Sequence, residues 1–253
     1  MKIKQLFLLV SFCTTTIIYG FSPYENYLLS GGQKHVMLTA IAKKGKIDEL
    51  KTALNQLKEN GSSAKLAITN LSFYTQKLQK KEFVFVYFDS DGKRYLNAVS
   101  DFESIDKVKV IKDLITPLPL ATDRGNSWLQ LEWINFIAAA ELKGKPSSSF
   151  AMVTRIKPDK EKQYRILHQT TWPGIVDWMT RKGYHNFSIY MAYIGDEIYE
   201  FFYTETVEQD KKGTTIKNLE NDKICKRWWK NTDSCQDPLP GADGVWLMMN
   251  KVK

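Results

Sequence analysis

The sequence predicts an α+β protein built from two tandem β-α-β-β-α-β units. Three observations carry this reading. The same order of strand-like and helix-like stretches runs twice through the 253 residues. Similar strings recur in the same order: V-M-L-T-A-I (36–41) with A-M-V-T-R-I (151–156), N-L-S-F-Y (70–74) with N-F-S-I-Y (186–190), and P-L-P at Pro117 and again at Pro238. Strands such as 82–89 carry large apolar residues at both parities (Phe83, Val84, Phe85, Val86), so both faces of their sheet need cover.

Each unit has the ferredoxin-like order, in which two helices cover one sheet face and leave the other open. The simplest cover for the open face is the other unit. The expectation is therefore two sheets packed face to face within one chain, an intramolecular pseudo-dimer of the dimeric α/β-barrel type.

The elements follow in order. Residues 1–22 begin with a lysine-bearing start, and residues 6–19 carry no charge, which reads as a secretory signal peptide. The apolar run is shorter than the ~20 residues of a membrane span. Cys13 follows the bulky Phe12, which argues for export rather than lipidation. The mature chain is thus expected in the periplasm or outside the cell, without a membrane span. Residues 23–33, with Gly31-Gly32, read as a flexible lead.

The first unit spans 34–142. Strand 35–41 comes first. Ile47, Leu50, Leu54 and Leu57 at helical spacing then predict a helix over 47–58, closed by Asn60-Gly61. Strands follow at 66–74 and 82–89, a helix at 101–115 broken by Pro117-Leu-Pro119, and a last strand at 128–137. Residues 143–149, with Gly, Pro and three serines, read as a linker. The second unit, 150–253, repeats the order: strand 150–156, helix 159–181 interrupted near Pro173, strands 186–193 and 197–206, helix 221–230, and strand 245–252.

The formal charge is +8, but the lysines are scattered without a dense tract. That reads as a positively biased solvated surface and not as a nucleic-acid patch. Cys225 and Cys235 remain after the leader. In an oxidising compartment they either pair or stay as buried thiols, and their spacing leaves both open.

Chemistry concentrates in 164–190. Tyr164 and His168 lie four apart, on one helix face. Aligning the first strands sets Tyr164 against Glu49 and His168 against Ala53; aligning the P-L-P strings sets Trp228-Trp229 against Lys107-Val108. The first unit thus lacks the aromatic and imidazole set. His35 and His185 read as surface or strand-end residues, and Trp172 and Trp178 as core. Tyr190 falls on the opposite strand face from Phe187.

These residues form a recognisable series: Tyr164, His168, Trp172-Pro173, His185-Asn186-Phe187-Ser188-Ile189-Tyr190, Cys225-Lys226-Arg227-Trp228-Trp229-Lys230 and Thr232-Asp233. From about residue 150 to the C-terminus the chain resembles the L-rhamnose mutarotases. The resemblance implies interconversion of the α and β anomers of L-rhamnose or a related 6-deoxy sugar, without metal or organic cofactor. It implies His168 as the proton-transferring acid/base, and Tyr164, Trp228 and Trp229 as sugar contacts. The family's tyrosine on the second strand, another sugar contact, is Phe187 here, so one hydroxyl is missing.

A second reading is an exported sugar-binding module that kept the aromatic pocket and lost turnover. A third is a small oxidase or heme-handling protein of the same barrel type, for which the sequence offers no cofactor motif.

Overall fold

The computed structural model describes residues 33–59, 68–137, 148–207 and 222–253. The leader (1–22), Gly31-Gly32, Asn60-Gly61 and most of the 143–149 linker lie outside them; Ser148 and Ser149 belong to a strand.

The chain opens with β1 (Gln33–Ala42), α1 (Ile47–Glu59), β2 (Thr69–Leu78) and β3 (Lys81–Asp91). The helix predicted over 101–115 is two short helices, α2 (Ala98–Ser104) and α3 (Asp106–Ile111), because Ile105 is extended (φ −65°, ψ 124°). After β4 (Ile115–Thr116), Pro119 starts a helix, α4 (Pro119–Asp123), as suits proline at a first helical position. Next are β5 (Leu129–Gln130), β6 (Glu132–Ile137) and β7 (Ser148–Ile156).

Then come α5 (Glu161–Gln169), α6 (Pro173–Arg181), β8 (Tyr184–Ile194), β9 (Glu197–Thr206) and α7 (Lys223–Asp233). The chain closes with β10 (Gln236–Asp237), β11 (Leu247–Met248) and β12 (Asn250–Lys251).

The strands form two six-stranded sheets. One has the order β12-β2-β3-β1-β4 with β5 also on β1; the other has β10-β7-β9-β8-β6 with β11 also on β7. Every strand pairing among the described residues is antiparallel. The two strands predicted to close their own units instead divide between the sheets. Residues 129–130 pair with β1, whereas 132–137 pair with β8. Likewise 247–248 pair with β7 and 250–251 with β2.

The double apolar parity of β3 has the expected consequence. Val84, Val86 and Phe88 join the core under α1, α2 and α3, while Phe83, Phe85 and Tyr87 join a second core shared with Tyr199, Phe201 and Tyr203 of β9. Phe85 meets Phe201 at 4.8 Å between ring centroids, and Tyr87 stacks on Tyr203 at 3.4 Å. The outer face of the second sheet carries Phe187, Ile189, Met191, Ile198 and Phe202 under α5, α6 and α7.

Burial separates the informative string match from the misleading one. Asn70 and Asn186 both adopt positive φ (55° and 49°) where the strand register shifts. Both side chains donate to the Glu205 carboxylate, which explains why Asn opens both strings. The match 36–41 with 151–156 is out of phase by one residue. Met37 faces the inter-sheet core and Met152 faces the helices. A one-residue slip on a strand reverses every face.

His35, read as a surface or strand-end residue, lies near the start of β1 and is 2% exposed. Its Nδ1 lies 2.6 Å from Asp89 Oδ1 and 2.7 Å from the Tyr87 hydroxyl. His185 is half-buried, with Nδ1 3.3 Å from Glu205. Cys225 and Cys235 are both buried free thiols.

Phe201→Ala is expected to lower unfolding stability by about 3–5 kcal/mol, because it opens a cavity between the sheets. Combined with Phe85→Ala, the losses should fall short of additive by ~0.5–3 kcal/mol, since the rings touch. Urea denaturation of the two single variants and the double variant checks both figures.

Candidate functional site

The site lies between the outer face of the second sheet and the helices α5, α6 and α7. Tyr164 and His168 are the buried positions of α5, one turn apart. The helix ends at Gln169, where Thr170 leaves helical geometry (φ −139°, ψ 85°). Trp172 takes an extended conformation (φ −62°, ψ 134°), and Pro173 starts α6. Helix α7 is fixed at its start by Asp222, whose carboxylate accepts from the backbone N–H of Ile224 (2.7 Å) and Cys225 (3.1 Å). That capping sets the rotation of α7, so that Trp228 is buried and Trp229 half-buried.

A cavity of about 260 Å³ results. Tyr164, His168, Phe187, Trp228 and Trp229 all line it. The remaining wall is mostly apolar: Phe150 and Met152 from β7, Ile175, Trp178 and Met179 from α6, Ile189 and Phe202 from the sheet, and Trp246. Asp233, Thr232, Thr171 and Gln236 supply polar groups. The volume is near the lower end of the ~300–1,000 Å³ usual for drug-sized ligands.

The aromatic rings brace one another. The imidazole of His168 lies 4.2 Å from the Tyr164 ring and meets Trp228 edge-on at 5.3 Å and 75°. Trp229 meets Trp178 at 5.3 Å, and Phe187 packs on Phe202 at 5.1 Å. Trp172 buttresses Trp228 from behind at 5.4 Å, in keeping with its reading as core. Trp178, also read as core, packs against the Ile175, Cys225 and Trp228 cluster and lines the cavity as well. Tyr190 is fully buried in the inter-sheet core, away from the site.

His168 is 6% exposed. Its Nδ1 donates to the Tyr164 carbonyl at 3.0 Å, which assigns the proton to Nδ1 and leaves Nε2 with a free lone pair. An unperturbed histidine titrates near pH 6.5. Burial instead pulls the His168 pKa down to about 4, against a smaller upward pull from the carbonyl. The side chain is thus neutral at pH 7 and stands ready as a base.

Beneath Tyr164 lies a residue the sequence reading missed. Glu200 on β9 is fully buried and accepts a hydrogen bond from the Tyr164 hydroxyl. Its other oxygen accepts from Gln236 Nε2 at 3.1 Å. Burial pushes its pKa up to about 8, and the two hydrogen bonds only partly oppose this. The signal was present in the sequence: in E-I-Y-E-F-F-Y-T-E, Glu200 shares its strand face with Ile198 and Phe202.

A second missed contributor comes from β6. Asn135 Nδ2 donates to the His168 carbonyl and, at 3.0 Å, to the Thr171 hydroxyl, and Ile137 lines the cavity. Among the described residues no group of three or more His, Cys, Asp or Glu side chains is placed to hold a metal ion. No helix among them is long and apolar enough to cross a membrane.

Residues 149–252 match the family model for L-rhamnose mutarotase. Curated relatives agree with this at low identity. The L-rhamnose mutarotase of Tolumonas auensis is 27% identical over 102 residues, covering 40% of this chain and 92% of that protein. The Escherichia coli L-rhamnose mutarotase is 29% identical over 80 residues, covering 32% of this chain and 71% of that protein. A solved structure of a candidate monooxygenase from Fusobacterium nucleatum aligns over 87% of this chain and 93% of its own, with 12% identity and a TM-score of 0.47. Asn135 and Ile137, which complete the site, lie before the matched stretch.

The depressed His168 pKa has a consequence for stability. Unfolded, the imidazole takes a proton below pH 6.5; folded, it does so only near pH 4. Its contribution is therefore present above pH 6.5 and is lost as pH falls toward 4. Between pH 7 and pH 4 the native protein should lose about 3 kcal/mol more than His168→Asn, as read by denaturant unfolding at the two pH values.

Proposed function

We propose that the protein is a carbohydrate mutarotase that interconverts the anomers of L-rhamnose or a related 6-deoxy sugar, with its site on the second sheet. The observation that carries this reading is the convergence of Tyr164, His168, Phe187, Trp228 and Trp229 on one largely apolar cavity. The match of residues 149–252 to the mutarotase model supports it.

The chemistry suits the geometry. Ring opening removes a proton from the anomeric hydroxyl and delivers one to the ring oxygen; closure on the other face gives the other anomer. His168, neutral and with Nε2 free, takes the anomeric proton and returns it on closure. Tryptophan and phenylalanine rings cover the C–H faces and the 6-methyl group, while indole N–H groups donate to hydroxyls. No metal or organic cofactor enters this scheme.

On this reading residues 34–142 are the built-in partner of residues 150–253, and the two form a tandem pseudo-dimer. The paired Asn70 and Asn186 bulges and the Phe85–Phe201 and Tyr87–Tyr203 contacts support that origin. The leader over 1–22 makes it an exported protein. Phe187 favours one alternative, an exported sugar-binding module without turnover. Its ring packs on Phe202 and offers the sugar no hydroxyl.

Saturation-transfer NMR on L-rhamnose tests the proposal. The protein should accelerate anomer exchange, and His168→Ala should return it to the buffer rate. Binding by calorimetry with no acceleration would leave the binding module as the reading.

Phe187→Tyr restores the missing hydroxyl. It is expected to tighten sugar binding by ~0.5–1.5 kcal/mol, the usual worth of one hydrogen bond. Calorimetric titration of the two proteins with the same sugar measures the difference.

A further inference from the structure

A single imidazole leaves ring opening half supplied. The anomeric oxygen must lose a proton while the ring oxygen gains one. His168 has Nδ1 committed to the Tyr164 carbonyl, so it has one free nitrogen for two oxygens. A second proton-handling group is needed, and the structure offers one directly behind Tyr164.

Glu200 sits mid-strand at 0% exposure, in hydrogen-bond contact with the Tyr164 hydroxyl and with Gln236. From α5 it faces Tyr164, with His168 tilted against that ring. From the end of α7 and the turn after it come Asp233, which lines the cavity, and the Cys235 thiol. Its strand partners are Thr154 on β7 and Met191 on β8. It takes part in no ion pair among the described residues. Without a cation beside it, the carboxyl is more stable neutral than ionised in this setting, in line with a pKa near 8.

The state of this carboxyl decides what Tyr164 shows the cavity. When Glu200 is ionised, the phenol donates to it and presents only lone pairs to a ligand. When Glu200 is protonated, the same contact reverses: the carboxyl O–H donates to the phenol oxygen, and the phenolic proton is free to turn toward the ligand.

We propose that Glu200 is a positioning residue that acts through Tyr164, making the phenol the proton donor to the sugar ring oxygen and refilling it as that proton leaves. The proposal rests on the mutarotase reading above. In ring opening the C1–O5 bond breaks as C1=O1 forms. The O1 proton goes to His168 Nε2, the Tyr164 proton goes to O5, and the Glu200 proton goes to the Tyr164 oxygen. His168 ends as imidazolium and Glu200 as carboxylate, so charge and protons balance without a further reactant. Closure reverses each step.

The test uses the full chain and Glu200→Gln, which is isosteric with the protonated acid. Infrared difference titration of the wild type should show a carboxylic-acid C=O band that is lost near pH 8 and is absent from the variant. Absence of that band at neutral pH overturns the proposal whatever the kinetics. In anomer-exchange NMR the wild-type rate should fall as pH rises through 8. Glu200→Gln should lose that limb and drop about a hundredfold in kcat at pH 7, with KM nearly unchanged. Tyr164→Phe combined with Glu200→Gln should be no slower than Tyr164→Phe alone, because the two residues act in series.

A variant with the wild-type pH profile, or additive losses in the double variant, overturns the Glu200 route while leaving the mutarotase reading intact. A wild type that does not accelerate exchange removes both. Folding has its own readout: the unfolded carboxyl ionises above pH 4.5 and the folded one only near pH 8, so the wild type should lose stability relative to the variant as pH rises from 4.5 to 8 and hold a constant deficit above that.

Discussion

Everything in this protein depends on burying the second apolar face of each sheet. A strand such as β3, with Phe83, Phe85 and Tyr87 on one side and Val84, Val86 and Phe88 on the other, cannot leave either side in water. The helices cover one side, and the sheets cover each other. Once they are face to face, chain leaving one sheet passes the edge of the other, where unpaired strand groups await partners. The short terminal strands exploit this: β6 completes the second sheet and β12 the first. The crossing has a chemical result. It carries Asn135 and Ile137 to the site, where Asn135 holds the His168 carbonyl at the end of α5. The stretch that resembles mutarotases is thus completed by chain that does not.

Burial is also the dominant electrostatic influence at the site. His168 is pulled toward its neutral form and Glu200 toward its acid form by the same exclusion of water. Tyr164 between them is held firmly as a phenol, its pKa raised by burial and by the neighbouring Glu200 charge. At neutral pH a base and an acid therefore stand on either side of one tyrosine, the base lining the cavity and the acid buried behind the ring. An imidazolium–carboxylate pair there would be costly at rest and form only transiently. That is suitable for a reaction whose two directions need each group in each state.

Much of the architecture was legible because it rests on periodicity. The helix over 47–58 and the strands of both sheets follow from spacing of Ile, Leu, Val and Phe. Tyr164, His168 and the tandem tryptophans stood out by residue type. Other features escaped for definite physical reasons. No local pattern distinguishes a strand that stays in its sheet from one that crosses, so the division of 129–130 from 132–137 was invisible. His35 reads as a surface residue until Asp89 and Tyr87 arrive from another strand. The string V-M-L-T-A-I matched A-M-V-T-R-I by letters but not by face, and that misplaced the helix comparison by one. The buried positions of α1 are Leu50, Leu54 and Leu57, so the inner face of that helix presents leucines, while Glu49 is exposed and Ala53 only half-buried.

The residue types on the helix-facing side explain why one sheet carries the site. The shift that relates Phe85 to Phe201 and Tyr87 to Tyr203 also relates Val84 to Glu200. On the first sheet Val84, Leu50 and Leu54 lie in one hydrophobic cluster, together with Phe102 and Trp128. Apolar side chains there fill the space between helix and sheet and contribute stability. On the second sheet the helix-facing side holds the Tyr164 phenol and the His168 imidazole at the wall of a cavity, with the Glu200 carboxyl behind the phenol. Each of those polar groups, buried, costs more than the apolar residue it stands for. The first sheet and the inter-sheet core supply the apolar burial that offsets this cost, so the half without the site is what makes the site tolerable.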